Sequence, residues 1–421
     1  MIEAAIVFLS AKGLYALLGM FWYALVFEIP RYFLSFFAGV TAYLFSSDEQ
    51  LPLPEYERVS VIIAGLNEGD AIESCIRSLY EQSLKNMEIV VVDDGSTDDM
   101  FDKMLGLEKA GLITRALRSE IRGGKSSALN YAARMATGDI LINVDCDCSF
   151  DRWALEEIIR PLSDPTIGAV AGNVLPRNAG SGLLPTFQAI EYLLSISLSK
   201  QVLQTYDQIS CASGAFTAFR AEAWEAIGGM DSGAGEDFDI TLRLRNAGWR
   251  IAFAPDALTL TDVPDKLLVL VRQRLRWERD GVLLRFRKHA YAFNPFNKAF
   301  RPAELIHHVE FLFFAVIGAF IFPFYMIWLF HTYGMFGGVI LISSMVALSV
   351  IDMGIFILAI LMSGRYSMLK LAPFVPGFAL FTSYFMRFVR AWAYLDEWIF
   401  HRSEQDEFVP EKVRQCQWSR W

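Results

Sequence analysis

The 421-residue sequence has few cysteines, few histidines and no excess of basic charge. Its five cysteines form no CxxC pair and its five histidines form no HExxH motif. A disulfide framework and a structural zinc site are therefore disfavoured. Lysine and arginine number 38 against 47 aspartate and glutamate residues, a formal net charge of -9 at pH 7. No nucleic-acid partner is expected, because phosphate binding requires a basic surface.

Charged residues of either sign are also scarce. They make up 20% of the chain, whereas 54% of residues are hydrophobic and 14% are aromatic. The mean hydropathy is +0.32. This composition argues against disorder and against a purely soluble protein, and at roughly 150 residues per domain the length predicts two or three units. We expect a membrane protein with a soluble insert.

The N-terminal region is the first of two apolar parts. Residues 4–27 are nearly all apolar, and about 20 such residues cross a bilayer. A signal peptide is the alternative, but no small-residue cleavage site follows. The polar stretch 28–31 precedes a second apolar run, 32–45, so we predict a transmembrane hairpin over residues 1–47. Because the second run is short, an interfacial helix is also considered.

The last third of the chain is apolar again. Residues 309–330 and 335–362 predict two spans, and a third apolar region begins near Leu369. That region fits either one long span or a re-entrant segment followed by an amphipathic helix over 388–400. Basic residues at both of its ends leave the side of the C-terminus open. The predicted segments are an interfacial stretch, membrane or interface helices, and a tail: 281–307, 308–402 and 403–421.

Between the apolar regions, β-branched runs alternate with amphipathic stretches. Strands and helices are predicted in turn over 59–64, 71–83, 87–96, 126–138 and 139–148. This alternation predicts an α/β domain over residues 48–280 with a parallel sheet. In such sheets a ligand binds at the carboxyl ends of the strands.

Two acidic pairs end predicted strands. Asp93 and Asp94 precede Gly95, where carboxylates can bind a ribose or a base, although turn chemistry also favours these residue types. Asp145 and Asp147 are two residues apart in an extended segment. Their carboxylates can therefore face one hard cation, and a solvated turn is the alternative.

A third acidic pair, Glu236 and Asp237, precedes the predicted helix over 239–248. Carboxylates at a helix N-terminus can simply cap it. The same position suits a general base that approaches a bound hydroxyl.

Two further motifs contain basic residues. In QRLRW, residues 273–277, the arginines could clamp phosphates and Trp277 could face a sugar ring, while a juxtamembrane anchor is the alternative. The sequence Gly124-Lys125-Ser126 is not a P-loop, because Ser119 stands where that motif requires glycine.

Seven motifs in a fixed order carry a resemblance to a known family: VSVIIAGLNE, VVVDDGSTDD, RGGKSSALN, DCDCS, SGAF, GEDFD and QRLRW. Together they resemble the membrane-embedded processive branch of glycosyltransferase family 2. That branch includes synthases of poly-N-acetylglucosamine, chitin oligosaccharide, hyaluronan and cellulose. The resemblance covers about residues 58–280. It implies a GT-A-type, Rossmann-like α/β domain inserted between N-terminal and C-terminal transmembrane helices.

The resemblance implies which residues bind the donor and its cation. Asp94, with Asp93 beside it, would contact the uridine of a UDP-sugar, and Lys125 would lie near the nucleotide. Asp145 and Asp147 would hold Mg²⁺ or Mn²⁺ on the diphosphate.

It also implies the catalytic and acceptor residues. Asp237, beside Glu236, would be the catalytic base, and Ser213 and Gly214 would border the acceptor sugar. The diphosphate and the terminal sugar of the growing chain would contact Gln273, Arg276 and Trp277, with Arg276 on the donor side. Gly235 stands where the cellulose branch has threonine, which weakens a cellulose assignment.

The implied function is inverting, processive transfer from a UDP-sugar to a growing β-linked polysaccharide, with N-acetylglucosamine favoured over glucose. Export across a bacterial inner membrane would accompany synthesis, with a cytosolic catalytic domain. Asp352, Arg387 and Arg390 lie within or near the C-terminal spans and would suit a translocation path, although helix packing also explains them.

Two other functions stay open: a membrane glycosyltransferase that adds one sugar to a lipid, and a non-enzymatic transporter or receptor with a cytosolic module. The expected partners are the UDP-sugar donor, a polysaccharide or glycan acceptor and the lipid bilayer. A small accessory membrane subunit is a further partner that such a synthase could use.

Overall fold

The computed structural model describes residues 7–45, 51–231, 233, 235–405 and 409–417. The ends of the predicted hairpin and of the predicted tail lie outside these residues. The chain divides into two compact units. We call one the apolar unit, with ranges Met1–Phe45, Lys266–Val282 and Tyr291–Phe400, and the other the sheet unit, with ranges Ser46–Asp265, Leu283–Ala290 and His401–Trp421.

The sheet unit is built on one eight-stranded sheet. Its strands are β1 Val59–Gly65, β2 Met87–Asp93, β3 Arg115–Arg118, β4 Ile140–Asp145, β5 Ser149–Phe150, β6 Ile167–Pro176, β7 Phe216–Arg220 and β8 Arg250–Thr261. The helices of this unit are Gly69–Tyr80, Met100–Lys109, Lys125–Met135, Ala154–Ile159, Arg160–Ser163, Leu183–Tyr192, Leu193–Leu198, Ser199–Thr205, Ala221–Ala226, Glu236–Asn246, Leu284–Lys288, Arg402–Gln405 and Glu411–Gln417. The predicted α/β class is confirmed.

The sheet is mixed, whereas the alternation of strands and helices predicted a parallel one. Its order is β3-β2-β1-β4-β7-β6-β8-β5. The first four strands are parallel to their neighbours, but β7 is antiparallel to both β4 and β6, and β5 is antiparallel to β8. The chain enters β7 beside the end of β4, where the Asp145 N–H donates to the Ala215 carbonyl at 3.2 Å. An antiparallel neighbour entered from that end needs no crossover.

Both faces of the sheet are covered, which explains the continuous apolar runs in its central strands. Successive residues of a strand point to opposite faces. In β1, Val61 and Ile63 therefore join the core with the helices Gly69–Tyr80 and Met100–Lys109, while Ile62 joins the core on the other face. This packing fixes the strand register and, with it, the positions of the polar residues that follow each strand.

The apolar unit contains the helices Leu14–Met20, Ala24–Glu28, Ile29–Phe45, Pro302–Glu310, Phe311–Ile317, Gly318–Tyr333, Phe336–Ser363, Tyr366–Phe374, Val375–Leu380, Phe381–Phe385 and Met386–Phe400. Two further helices, Leu267–Leu283 and Ala290–Phe293, each contain residues of both units. Joined end to end, some of these form four helices in the described part of the chain that are long and apolar enough to cross a membrane: Ala24–Phe45, Pro302–Tyr333, Phe336–Ser363 and Tyr366–Phe400. The two predicted C-terminal spans lie within the second and third, and the third apolar region is helical throughout the fourth.

The hairpin predicted over residues 1–47 requires a turn at the polar stretch 28–31, and this prediction is wrong because that stretch is helical. The helix Ala24–Phe45 runs through it without interruption. Glu28 is buried and its Oε1 accepts a hydrogen bond from Arg387 at 2.5 Å. Because the charge of Arg387 compensates the carboxylate, the polar stretch does not have to leave the apolar surroundings. A partner so distant in sequence could not be read from the local pattern.

Helix packing also accounts for two basic residues that were considered for a translocation path. Arg387 pairs with Glu28, and a second Nη donates to the Phe314 carbonyl at 2.8 Å. Arg390 pairs with Glu278 at 3.0 Å within the same unit. These contacts favour the packing interpretation for both arginines.

Two glycines offer a matched test of the sheet packing. A Cβ added at Gly172 in β6 would lie 2.2 Å from Cδ1 of Phe216 in β7, whereas one added at Gly106 meets nothing within 4 Å. We expect Gly172→Ala to destabilise the protein by about 1–3 kcal/mol through overpacking. Gly106→Ala, inside the helix Met100–Lys109, should stabilise it by about 0.5–1 kcal/mol. Thermal unfolding of the full chain in detergent checks both, and equal shifts for the two variants would contradict the packing argument.

Candidate active site

Polar residues collect at the carboxyl ends of the central parallel strands. Asp93 ends β2 beside Gly65 of β1, and Asp145 ends β4 beside Ala64 of β1. The register thus aligns the two acidic strand ends at one edge of the sheet, which is where α/β sheets bind ligands.

Asp93 and Asp94 are engaged by the loops that follow the strands. Asp93 is fully buried; its Oδ1 accepts the Ser96 N–H at 2.7 Å and its Oδ2 lies 3.3 Å from Nε of Arg118. Such bonds are those that turn chemistry predicts for this residue. The contact of Asp93 and Asp94 with a nucleotide stays a prediction.

Asp94 fixes the glycine pair ahead of the helix Lys125–Met135. Its two carboxylate oxygens accept the N–H groups of Gly123 and Gly124 at 2.8 and 2.7 Å. Gly124 has φ = +84°, a conformation that favours glycine. Burial raises the pKa of Asp94, and the two amide hydrogen bonds offset part of that increase. Asp94 therefore fixes the backbone directly before Lys125, the first residue of that helix.

Lys125 joins the segments that the sequence presented separately. Its Nζ lies 2.6 Å from Oδ1 of Asp145, 3.3 Å from Oε1 of Glu236 and 3.4 Å from the Gly214 carbonyl oxygen. Burial alone would lower the pKa of Lys125, but the charges of Asp145 and Glu236 outweigh it and raise the pKa above its ordinary value. The amine is thus held as a cation among carboxylates.

Asp237 lies at the start of the helix Glu236–Asn246. Gly235, with φ = +70°, turns the chain into that helix. The Asp237 carboxylate accepts the Phe238 N–H at 2.7 Å through Oδ1 and the Gly214 N–H at 3.2 Å through Oδ2. Burial, followed by the charge of Glu236, raises the pKa of Asp237. Asp237 is therefore both a helix N-terminal residue and a neighbour of the predicted acceptor loop.

The Ser213–Gly214 peptide is held by residues that were not predicted. Nδ2 of Asn143 donates to the Gly214 carbonyl at 2.7 Å, and Nζ of Lys200 donates to Oγ of Ser213 at 2.5 Å. Asn143 is fully buried in β4, and a polar side chain within an apolar strand was a signal that could have found it. Lys200 gave no comparable signal beyond being a lysine in an apolar stretch.

β4 ends at Asp145, and Asp147 lies in the turn that follows, so the prediction of one extended segment holding both carboxylates is wrong. Oδ2 of Asp147 accepts the Thr261 hydroxyl at 3.0 Å, and its carbonyl accepts a hydrogen bond from Arg177 at 2.8 Å. Burial raises the pKa of Glu68, and the charges of Asp147 and Asp145 raise it further. Glu68, which follows β1, is thus a further acidic residue near Asp145 and Asp147, and sequence reasoning missed it.

No group of three or more His, Cys, Asp or Glu side chains that could hold a metal ion occurs among the residues described. The donor set at hand is the carboxylate pair of Asp145 and Asp147. Oxygen ligands of this kind suit Mg²⁺ and Mn²⁺, and Mg²⁺ usually takes one or two carboxylates together with substrate phosphates. The pair fits a cation whose coordination a diphosphate completes.

Gln273, Arg276 and Trp277 belong to the apolar unit, on the helix Leu267–Leu283. The Trp277 side chain is 40% exposed, and Cζ of Arg274 lies 4.2 Å from its ring centroid. Oε1 of Gln273 is buried and has no hydrogen-bond partner among the described residues. The predicted roles of this motif in donor and acceptor binding stay predictions.

The chain is similar to known glycosyltransferases. Residues 60–228 match the family described as Glycosyl transferase family 2. The chain is 30% identical over 254 residues to poly-beta-1,6-N-acetyl-D-glucosamine synthase of Staphylococcus aureus, covering 59% of this chain and 61% of that protein. It is 29% identical over 243 residues to an N-acetylglucosaminyltransferase of Azorhizobium caulinodans, covering 54% and 60%. The chain thus spans about three fifths of the length of these curated relatives.

Among solved structures, the chain is similar to a mannosyltransferase from Pyrobaculum calidifontis in complex with GDP-Man and Mn²⁺. The TM-score is 0.54 at 21% identity, and the match covers 91% of this chain and 99% of the other. This likeness concerns the fold, and it confirms the GT-A-type, Rossmann-like prediction.

Proposed function

We propose, on the premise that the chain carries a family 2 glycosyltransferase domain over residues 60–228, that it transfers a sugar from a UDP-sugar to a growing β-linked polysaccharide. The observation that carries the proposal is the contact of Lys125 with Asp145, Glu236 and Gly214. It brings a predicted donor residue and a predicted acceptor residue together with Glu236, which precedes the predicted base in the sequence. The names of the relatives favour N-acetylglucosamine over glucose.

Asp237 is the proposed general base. It removes the proton from an acceptor hydroxyl, and that oxygen forms a bond to the anomeric carbon of the donor. The bond between that carbon and the UDP oxygen breaks, and UDP leaves on the face opposite the attacking oxygen, so the configuration inverts. A raised pKa, caused by burial and by Glu236, brings Asp237 closer to the range in which a carboxylate accepts a proton efficiently.

The donor is proposed to bind along the carboxyl edge of the sheet, with uridine toward Asp93 and Asp94 and the diphosphate toward Lys125. Asp145 and Asp147 would hold Mg²⁺ or Mn²⁺. Such a cation neutralises the charge that develops on the departing diphosphate. Arg276 is proposed to bind that diphosphate, and Gln273, Trp277 and Ser213 to bind the acceptor.

The proposal also includes export of the polymer across the membrane. Four helices long and apolar enough to cross a membrane support a membrane location. The apolar unit also contains a small cavity whose lining includes the polar side chains of Tyr23, Glu28, Ser344, Ser383 and Tyr384. It has room for about one water molecule, so it is not itself a path for a sugar chain. On the membrane location we propose synthesis coupled to export, with the sheet unit in the cytosol of a bacterium.

Sealed membrane vesicles with the sheet unit outside test donor, product and export together. Supplied with radiolabelled UDP-sugars, they should build a long polymer from UDP-N-acetylglucosamine, protected from a hydrolase added outside. Asp237→Asn should bind UDP like the wild type while transfer falls by a factor of about 100 or more. Asp256→Asn, a change at an exposed carboxylate in β8, is the matched control and should leave transfer unchanged.

Each other outcome has a definite meaning. A single-sugar glycolipid would support the lipid-acceptor alternative, and an accessible polymer would contradict export. Normal turnover by Asp237→Asn would remove Asp237 from the base role.

The proposed cation has its own test. EDTA should abolish transfer, and Mn²⁺ or Mg²⁺ should restore it. In calorimetry Asp147→Asn should weaken Mn²⁺-dependent UDP binding but leave metal-free UDP binding unchanged, because it replaces one of two charged carboxylate ligands with a neutral amide. Asp262→Asn, in which an exposed partner of Arg177 is changed, serves as the control. Full activity in EDTA would contradict the cation.

The pH dependence follows from the environment of Asp237. Because burial and the charge of Glu236 raise its pKa, Asp237 takes up a proton at a higher pH than an ordinary aspartate, and kcat should fall as the pH is lowered through that pKa. Glu236→Gln removes the nearby charge, so the pKa should drop and the acid limb of the pH–rate profile should move to lower pH. An unmoved limb would show that Asp237 does not control it.

A further inference from the structure

We propose that Lys200 is a positioning residue that fixes the Ser213–Gly214 peptide and, through it, the carboxylate of Asp237. Only the expected effect of Lys200 on the rate of sugar transfer rests on the proposed function. The positioning itself is a statement about contacts within the sheet unit.

Lys200 is a lysine in surroundings that disfavour charge. It lies on the helix Ser199–Thr205, is 6% exposed, and directs its Nζ to within 2.5 Å of Oγ of Ser213. The Phe253 ring centroid is 5.9 Å from the same nitrogen. Burial lowers the pKa of Lys200 to about 8, against the opposing charges of Cys211 and Asp237. Burying an amine here is costly unless a specific contact compensates it.

The contact that compensates it controls a short loop. The Ser213 carbonyl accepts the Thr217 hydroxyl at 2.7 Å and the Phe216 N–H at 3.2 Å, which tie it to the start of β7. The Ser213 hydroxyl is held from the other side by Lys200. With the hydroxyl and the carbonyl of Ser213 fixed, the orientation of the peptide that joins Ser213 to Gly214 is set.

The N–H of this same peptide reaches the proposed base. The Gly214 N–H donates to Oδ2 of Asp237 at 3.2 Å, and a Cβ added at Gly214 would lie 3.4 Å from Cβ of Asp237. The Gly214 carbonyl accepts hydrogen bonds from Asn143 and Lys125. A rotation of this peptide would therefore move the hydrogen bond that holds Asp237.

Hydrogen exchange tests the positioning without relying on activity. In Lys200→Met, the peptide containing residues 211–216 should exchange about tenfold faster, because the amide of Gly214 loses its fixed orientation. Lys109→Met, at an exposed lysine in the helix Met100–Lys109, is the matched control and should leave exchange there unchanged. Unchanged exchange in Lys200→Met overturns the inference.

Kinetics then test its consequence for transfer. Lys200→Met should lower kcat by as much as about 100-fold, the usual cost of misplacing a reacting group by an ångström, while UDP affinity stays at the wild-type value. Lys200→Arg, which keeps the donor, should recover part of the rate. Ser213→Ala should lower kcat to a similar degree and add nothing to the effect of Lys200→Met on kcat, because both remove the same hydrogen bond. Loss of the proposed acceptor contact of Ser213 should instead appear in KM.

The failures are distinguishable. Additive effects of Lys200→Met and Ser213→Ala on kcat, or loss of UDP binding in Lys200→Met, would overturn the inference while wild-type transfer stands. Absence of transfer by the wild type would overturn the proposed function, and the exchange experiment would still decide the role of Lys200.

Discussion

The arrangement of the sheet unit depends on one ammonium group. Nζ of Lys125 contacts Asp145 at the end of β4, Glu236 at the start of a helix and the Gly214 carbonyl before β7. Without a cation between them, the carboxylates would repel one another and would each be costly to keep away from water. The three segments are far apart in the sequence, so this charge is what makes them neighbours with defined geometry. The sheet positions the strands, and Lys125 fixes the three segments relative to one another.

The same feature relates stability to chemistry. The carboxylates around Lys125 hold its ammonium group in place, so a ligand that brings phosphates to this edge would meet a hydrogen-bond donor whose position is already fixed. The hydrogen bond from the Gly124 N–H to Asp94 fixes where the helix of Lys125 begins. Preorganisation of this type limits the rearrangement that binding requires.

Much of this could be predicted from the sequence, for physical reasons that are local. Buried strands ending in acidic residues place Asp145 at a sheet edge, and a glycine before a helix places Asp237 at an N-terminus. What could not be predicted depended on long-range contacts. The antiparallel β7 follows from where the chain re-enters the sheet, the role of Lys200 depends on a single hydroxyl, and the continuity of the N-terminal helix depends on a distant arginine. Periodicity contains none of that information.

The ion pair between Glu28 and Arg387 has a consequence for biogenesis. The two residues are 359 positions apart, so a ribosome must finish nearly the whole chain before the first carboxylate meets its partner. Until then, Glu28 lies in apolar surroundings without its partner, which is costly for a carboxylate. The helices that contain Glu28 and Arg387 can thus pair only late in synthesis, and truncation before residue 387 would leave the carboxylate uncompensated.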